Sequence, residues 1–227
     1  YNTSTFAQKS PGVPTNHYEY SRAANPTRQA LEDALASIEN GVRGLAFSSG
    51  LAATDSVLKL LKPGDEVIAM DDLYGGTYRM FTRIYADFGI KFHFVDMNDL
   101  EKFQSLINEN TKLVWVETPT NPLMKLADIA AIAKITNDKK ILFAVDNTFA
   151  TPYLQKPLDL GADIVMHSAT KYLGGHSDVI AGALIVRNPE LGEKLHFAQF
   201  ATGGTLGPQD SYMVLRGIKT LHLRVQR

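Results

Sequence analysis

Short, largely apolar runs recur along the chain at Gly44–Phe47, Val67–Met70, Lys91–Val95, Leu113–Val116, Ile141–Val145, Ile164–Met166 and Gly182–Val186. Their length and content predict strands. Stretches with helical spacing lie between them. Leu31, Ala34, Leu35 and Ile38 fall on one face of a helix. Asn25 is its expected N-cap, Pro26 its first residue, and Gly41 its stop. Further helices are expected from Ser48 to Leu61, after Tyr74-Gly75-Gly76 with Met80, Phe81, Ile84, Tyr85 and Phe88 inward, near Asp99–Ile107, Asp128–Asn137 and Pro189–Ala201, and after Pro208. Such alternation predicts an α/β domain whose mostly parallel sheet is sandwiched by helices. Residues 1–26 contain Pro11, Gly12 and Pro14 and show no period before Tyr18–Arg22. They read as an extended arm that needs something to lie against, and residues 27–227 as the α/β domain.

Composition narrows the functional classes. At 227 residues, 44% of them hydrophobic, the chain can bury one sizeable core. Lys plus Arg number 23 against 24 Asp plus Glu, and this balance points to no nucleic acid, acidic membrane surface or polyanion as partner. The absence of cysteine excludes thiolate catalysis, disulfides and cysteine-held metal within the chain, and is compatible with a cytoplasmic location. No apolar run approaches the roughly 20 residues of a membrane-spanning helix. No signal-peptide pattern is visible, although a chain opening at Tyr1 leaves a leader before it open.

The polar groups carry the chemistry. Ser48–Gly50, Asp71–Tyr74, Glu117–Asn121, Asp146–Thr148 and Ser168–Lys171 each follow the C-terminal end of an expected strand. Ligands of open α/β sheets bind at that edge. Lys171 is set in a turn among Ser168, Thr170, Gly174 and Gly175. A lysine amine in a partly desolvated site can attack a carbonyl and form a Schiff base, while the hydroxyls beside it can hold an anion. An anion plus an imine points to pyridoxal phosphate. Ser48-Ser49-Gly50-Leu51 opens a helix, so its backbone amides either cap that helix or bind a phosphate. Asp146, at the end of an apolar run, either caps a helix or pairs with the protonated ring nitrogen of the cofactor. Tyr74 is either a half-buried tyrosine or a ring stacked on the cofactor. The six histidines show no metal-ligand spacing, and no metal is assigned. A rival from another enzyme class is a serine hydrolase, since Ala46–Gly50 resembles a relaxed nucleophile elbow with Ser48 as nucleophile; it leaves Lys171 unexplained.

Tyr20–Thr27, Phe47–Ala53, Tyr74–Gly76, Glu117–Pro122, Val145–Phe149 and Ser168–Asp178 together resemble the pyridoxal-phosphate enzymes of transsulfuration, the cystathionine γ-lyase and γ-synthase family, in order over nearly the whole chain. The resemblance implies that Lys171 is the Schiff-base lysine, Asp146 the ring-nitrogen partner, and Tyr74 both the stacked ring and an acid and base partner at the leaving group. It assigns Gly50, Leu51, Ser168 and Thr170 to the phosphate, Thr148 to the cofactor, Asn121 to the cofactor hydroxyl and substrate carboxylate, and Arg79 to the substrate entrance. Tyr20 and Arg22 would reach the phosphate of a neighbouring subunit, which implies dimers that share sites within a homotetramer. Cleavage of L-cystathionine to cysteine, 2-oxobutanoate and ammonia is the expected reaction. The alternatives are γ-synthase chemistry on an O-acyl-homoserine, and methionine γ-lyase or cystathionine β-lyase chemistry. Members of the family continue into a smaller C-terminal domain that this chain lacks, so residues 1–227 alone are expected to keep cofactor contacts without normal turnover.

Overall fold

The computed structural model describes Tyr1–Arg227. The first residues are not simply extended. β1 (Gln8–Ser10) and β2 (Val13–Pro14) form a small antiparallel hairpin that turns at Gly12, whose φ of 74° favours glycine. The helix α1 (Pro26–Ile38) begins as expected, with the Asn25 side chain accepting the amides of Thr27 and Arg28.

Then follow β3 (Arg43–Phe47), α2 (Gly50–Leu58), β4 (Glu66–Met70) and α3 (Gly75–Met80), which runs into a π-helical turn at Phe81–Tyr85. That wide turn rotates the helical pattern out of phase. Phe81 is fully buried and stacks on Phe92 at 4.6 Å between centroids, whereas Ile84 and Phe88, expected inward, are exposed. The chain continues through β5 (Lys91–Val95), α4 (Leu100–Leu106), β6 (Thr111–Glu117), α5 (Ile129–Lys139), β7 (Leu142–Asp146), the short α6 (Thr151–Leu154), β8 (Ile164–His167) and β9 (Gly182–Val186). Three helices, α7 (Pro189–Thr202), α8 (Pro208–Ile218) and α9 (Leu221–Val225), complete it.

Seven strands form one sheet in the order β3-β9-β8-β7-β6-β4-β5. All neighbours pair in parallel except β9, which runs against both β3 and β8. Residues alternate between the faces: Leu45, Phe47, Trp115 and Met166 pack with α2 and α7 residues such as Val57 and Leu195. Ala46 and Val165 face Leu31 and Leu35 of α1, while Val116 and Val145 face Ile132 of α5. Each fully buried side chain of the size of Phe143 or Ile68 contributes about 1.5–3 kcal/mol by leaving water.

The reversed strand has a consequence for the site. Parallel strands need a crossover that carries the chain to the far end of the sheet, but an antiparallel neighbour is entered from the near end. Residues 168–181, between β8 and β9, therefore remain at the edge where the parallel strands end, and Lys171 remains with them.

Candidate active site

The C-terminal strand ends enclose a cleft of about 520 Å3. Its lining includes Ser49, Gly50 and Leu51 after β3, Tyr74 after β4, Glu117 and Asn121 after β6, Asp146 and Thr148 after β7, and Ser168, Thr170 and Lys171 after β8. A wider hollow of about 870 Å3, reaching Tyr172, Asp178 and Arg224, shares Thr170 and Lys171 with it.

One end of the cleft is built for an anion. Ser49 caps α2 by accepting the amide of Ala52, leaving the amides of Gly50 and Leu51 without an acceptor in the chain. Gly50 packs so closely on Ser168 that a Cβ at this position would lie 3.1 Å from the Ser168 Cβ and 3.3 Å from its Oγ. Thr170 lines the same end, but its hydroxyl accepts the Ala181 amide at 2.9 Å and donates to the Ala181 carbonyl at 3.1 Å. Its proton is thus already used, and Ser168 is the freer hydroxyl. Gly50→Ala is expected to weaken pyridoxal phosphate binding about tenfold, equivalent to one displaced contact, with the fold unchanged. Titrating cofactor-free protein with pyridoxal phosphate measures it.

The other end is acidic. Asp146 and Glu117 stand in register on β7 and β6 and are each 5% exposed. Thr148 donates to Asp146 Oδ1 from its hydroxyl at 2.5 Å and from its amide at 3.0 Å, and its hydroxyl oxygen accepts the Ser168 amide at 2.8 Å. Thr148 thereby links the acidic end to the anion end. Burial pushes the Asp146 carboxyl up, against the Thr148 bonds and the nearby His167. Burial and then the neighbouring Asp146 push Glu117 up to about 8, against the amide bonds from Tyr74 and Asn121. Two neighbouring carboxyls in a buried cleft resist ionising together, and a cation beside them favours the charged form.

The sequence places Glu117 at the head of the edge segment Glu117–Asn121 but gives it no role of its own. Its Oε2 accepts the Tyr74 amide at 2.7 Å, so it fixes the backbone from which the Tyr74 ring projects. Its raised pKa also has a sign. Between its ordinary 4.5 and about 8 the folded chain holds a proton that the unfolded chain releases. Stability of the cofactor-free protein therefore falls as pH rises through this window. Glu117→Gln is expected to flatten that slope, leaving the variant about 1–2 kcal/mol more stable than wild type above the window and close to it below. Urea unfolding at the two ends of the window tests it.

Three expected site residues lie outside the cleft. Arg79 is exposed on α3. Arg22 donates to the Phe200 carbonyl at 2.8 Å and lies over the Phe200 ring at 4.6 Å, with Tyr20 beside it. Buried Arg28 anchors this segment through bonds to the carbonyls of Ser21, Arg22 and Ala23 at 2.6, 3.2 and 3.1 Å. Ser48 is exposed and does not line the cleft, and no histidine lines it, so the hydrolase arrangement is not formed.

Two free backbone amides beside a serine hydroxyl and a buried acidic pair, with a lysine amine on the same cleft, suit a small aldehyde that is anionic at one end and cationic at the other. Pyridoxal 5'-phosphate fits that description, and the fold and cleft define a pyridoxal-phosphate enzyme. The chain belongs to the Cys/Met metabolism PLP-dependent enzyme family, whose model matches residues 1–227. It is 54% identical over 226 residues to the cystathionine gamma-lyase of Bacillus subtilis (strain 168), covering 100% of this chain and 59% of that protein. It is 53% identical over 226 residues to a probable cystathionine gamma-synthase of Herpetosiphon aurantiacus, covering 100% of this chain and 70% of the other. The crystal structure of cystathionine gamma-lyase from Lactobacillus plantarum complexed with L-serine superposes with a TM-score of 0.96 at 50% identity, over 98% of this chain and 58% of that one. The chain thus spans about three fifths of the length of the first of these relatives. No helix is long and apolar enough to cross a membrane.

Proposed function

We propose that the protein cleaves L-cystathionine to L-cysteine, 2-oxobutanoate and ammonia by γ-elimination. The observation that carries this reading is the cleft in which Lys171, Asp146 and the free amides of Gly50 and Leu51 meet. Bound pyridoxal phosphate supplies an electron sink for the charge left when a proton leaves the substrate α carbon. Gly50, Leu51 and Ser168 hold its phosphate, Asp146 its ring nitrogen, and Tyr74 its ring face. Lys171 Nζ takes the proton from the α carbon and then moves the β-carbon proton. The Tyr74 hydroxyl hands a proton to the departing sulfur. Asn121 orients the substrate carboxylate, and Arg79 draws substrate towards the entrance.

The name of the Herpetosiphon relative favours a second reading, γ-replacement on an O-acyl-homoserine by cysteine, because its identity is nearly the same as that of the lyase. Product analysis separates the two. With cystathionine, the lyase releases cysteine and 2-oxobutanoate, whereas pyruvate and homocysteine would indicate β-cleavage. Formation of cystathionine from O-acyl-homoserine and cysteine, with no 2-oxobutanoate from cystathionine, would overturn the first reading.

A homotetramer of dimers that share sites is part of the proposal. It is supported by Tyr20 and Arg22, which sit on an anchored segment away from their own cleft. Cytoplasmic residence belongs with it, as the place of small amino-acid substrates. Light scattering and cell fractionation test the two.

A further inference from the structure

Tyr74 and Asn121 reach the cleft from different loops, one between β4 and α3 and the other between β6 and α5. A side chain that no step of the proposed reaction uses ties these loops together. Asp72, the second residue after β4, accepts the Thr120 hydroxyl and, through the same Oδ2, the Leu123 amide at 3.0 Å. Asn121 and Pro122 lie between those two donors, so one carboxylate oxygen holds the chain on both sides of Asn121. The Thr120 hydroxyl in turn accepts the Lys125 amide at 2.8 Å. The Thr120 amide donates to the Lys125 carbonyl at 3.0 Å, and its carbonyl accepts the Met124 amide at 3.1 Å. Residues 120–125 therefore close into a compact turn that is fastened to the Tyr74 loop through Asp72.

Two features set this contact apart from ordinary loop packing. First, Thr120 is 0% exposed, so its bond to a carboxylate is made away from water, where charge-assisted hydrogen bonds are strong. A second tie between the same loops, from Lys125 Nζ to Asp71 at 3.0 Å, lies at the surface with a further arm to Asp96 at 3.3 Å, and such ion pairs contribute little. Second, the hold is reciprocal. Glu117, at the end of β6, accepts the Tyr74 amide at 2.7 Å, while Asp72, just before Tyr74, holds the turn that carries Asn121. Tyr74 and Asn121 are thereby mounted on one body.

We propose that Asp72 is a positioning residue that sets Asn121 for the substrate carboxylate and fixes its place relative to Tyr74. The inference rests on the assignment of Asn121 to that carboxylate. Asp72 acts through geometry, one oxygen with two donors. Its charge is a separate effect, since after burial and Asp146 it is a further cause that pushes Glu117 up. The two effects can be separated: asparagine at this position keeps an oxygen for both donors without the charge, and alanine keeps neither.

The test titrates the intact holoenzyme with glycine, which has the carboxylate but nothing to eliminate, and follows the visible absorption band. Asp72→Ala is expected to weaken glycine binding about tenfold, the loss of one hydrogen bond to a charged group, while pyridoxal phosphate affinity changes less than about twofold. Asp72→Asn should stay within about threefold of wild type, and Lys125→Met, which cuts only the surface tie, within about twofold. In the Asn121→Ala background Asp72→Ala should add less than about a twofold effect, since coupled residues are not additive. No loss in Asp72→Ala, an equal loss in Asp72→Asn or Lys125→Met, or the same loss with and without Asn121 would each overturn the proposal. Thermal melts check folding. Should Asp72→Ala not fold, Thr120→Ser and Thr120→Val decide: the serine keeps the hydroxyl and should keep glycine affinity, the valine should lose it, and equal affinities overturn the idea. Unchanged glycine binding in Asn121→Ala alone would instead remove the reading on which the inference rests.

Discussion

Lys171→Ala is expected to abolish borohydride-stable attachment of pyridoxal phosphate and to lower turnover by at least about 10^3-fold. The size follows from two losses at one atom. Removing a positioned general base costs about 10^2–10^4 in rate by itself, and the amine proposed to hold the aldehyde covalently is lost with it. No other lysine lines the cleft, so none can substitute. The turn that carries Lys171 is held by backbone bonds, with its own amide donating to the Ser168 carbonyl at 3.1 Å and its carbonyl accepting the Gly175 amide at 2.7 Å. Its side chain is exposed to the cleft rather than packed in the core, so truncation should leave stability nearly unchanged. Pyridoxal phosphate should still bind through Gly50, Leu51, Ser168 and Asp146, more weakly and reversibly. Peptide mapping after borohydride reads the attachment, a single-turnover assay reads the proton step, and small amines added in solution should restore part of it. Turnover within tenfold of wild type would remove Lys171 from its proposed role.

The cleft was legible in the sequence because its logic is local. A strand of a buried parallel sheet is an apolar run, and the first polar residues after it must leave the core at one edge. All five such segments line the cleft or its walls: Ser49–Leu51, Tyr74, Glu117 with Asn121, Asp146 with Thr148, and Ser168 to Lys171. What depended on pairing between distant segments was not legible. The direction of β9 is set by its neighbours β3 and β8 and not by the apolar run Gly182–Val186 itself. Likewise, Glu39 and His167 meet across 128 residues, and neither carries a local pattern that announces the other. Ile84 and Phe88 were misread because a π-helical turn breaks the 3.6-residue period on which their placement relied. Gly41 does not end α1 by adopting a left-handed conformation, since Asn40 has that φ, at 57°. Gly41 is required instead because a Cβ there would come within 2.3 Å of Ile185, a contact invisible to a reading of neighbours in sequence.

Asp146→Asn tests the opposite end of the cleft and is expected to reduce turnover by about 10^2–10^3-fold, the range for loss of one preorganised electrostatic contact in a buried site. The substitution preserves shape. An asparagine oxygen can still accept the two Thr148 bonds at 2.5 and 3.0 Å, so the loop that leads to Ser168 should stay in place. Only the charge is lost, and with it the proposed means of keeping a ring nitrogen protonated. Burial opposes that charge at Asp146, so the wild type holds an ion at a cost that its partner must offset. Two consequences separate this account from a structural one. The cofactor-free variant should be no less stable than wild type, because a costly buried charge has been removed, and chemical denaturation measures this. Borohydride should still attach the cofactor to Lys171, because that step requires the aldehyde and the amine and not the ring charge. A variant that melts early and loses attachment would show that Asp146 holds up the fold. A stable variant that attaches the cofactor but fails to turn over places the function of Asp146 in its charge, at the end of β7 beside Thr148 and in register with Glu117.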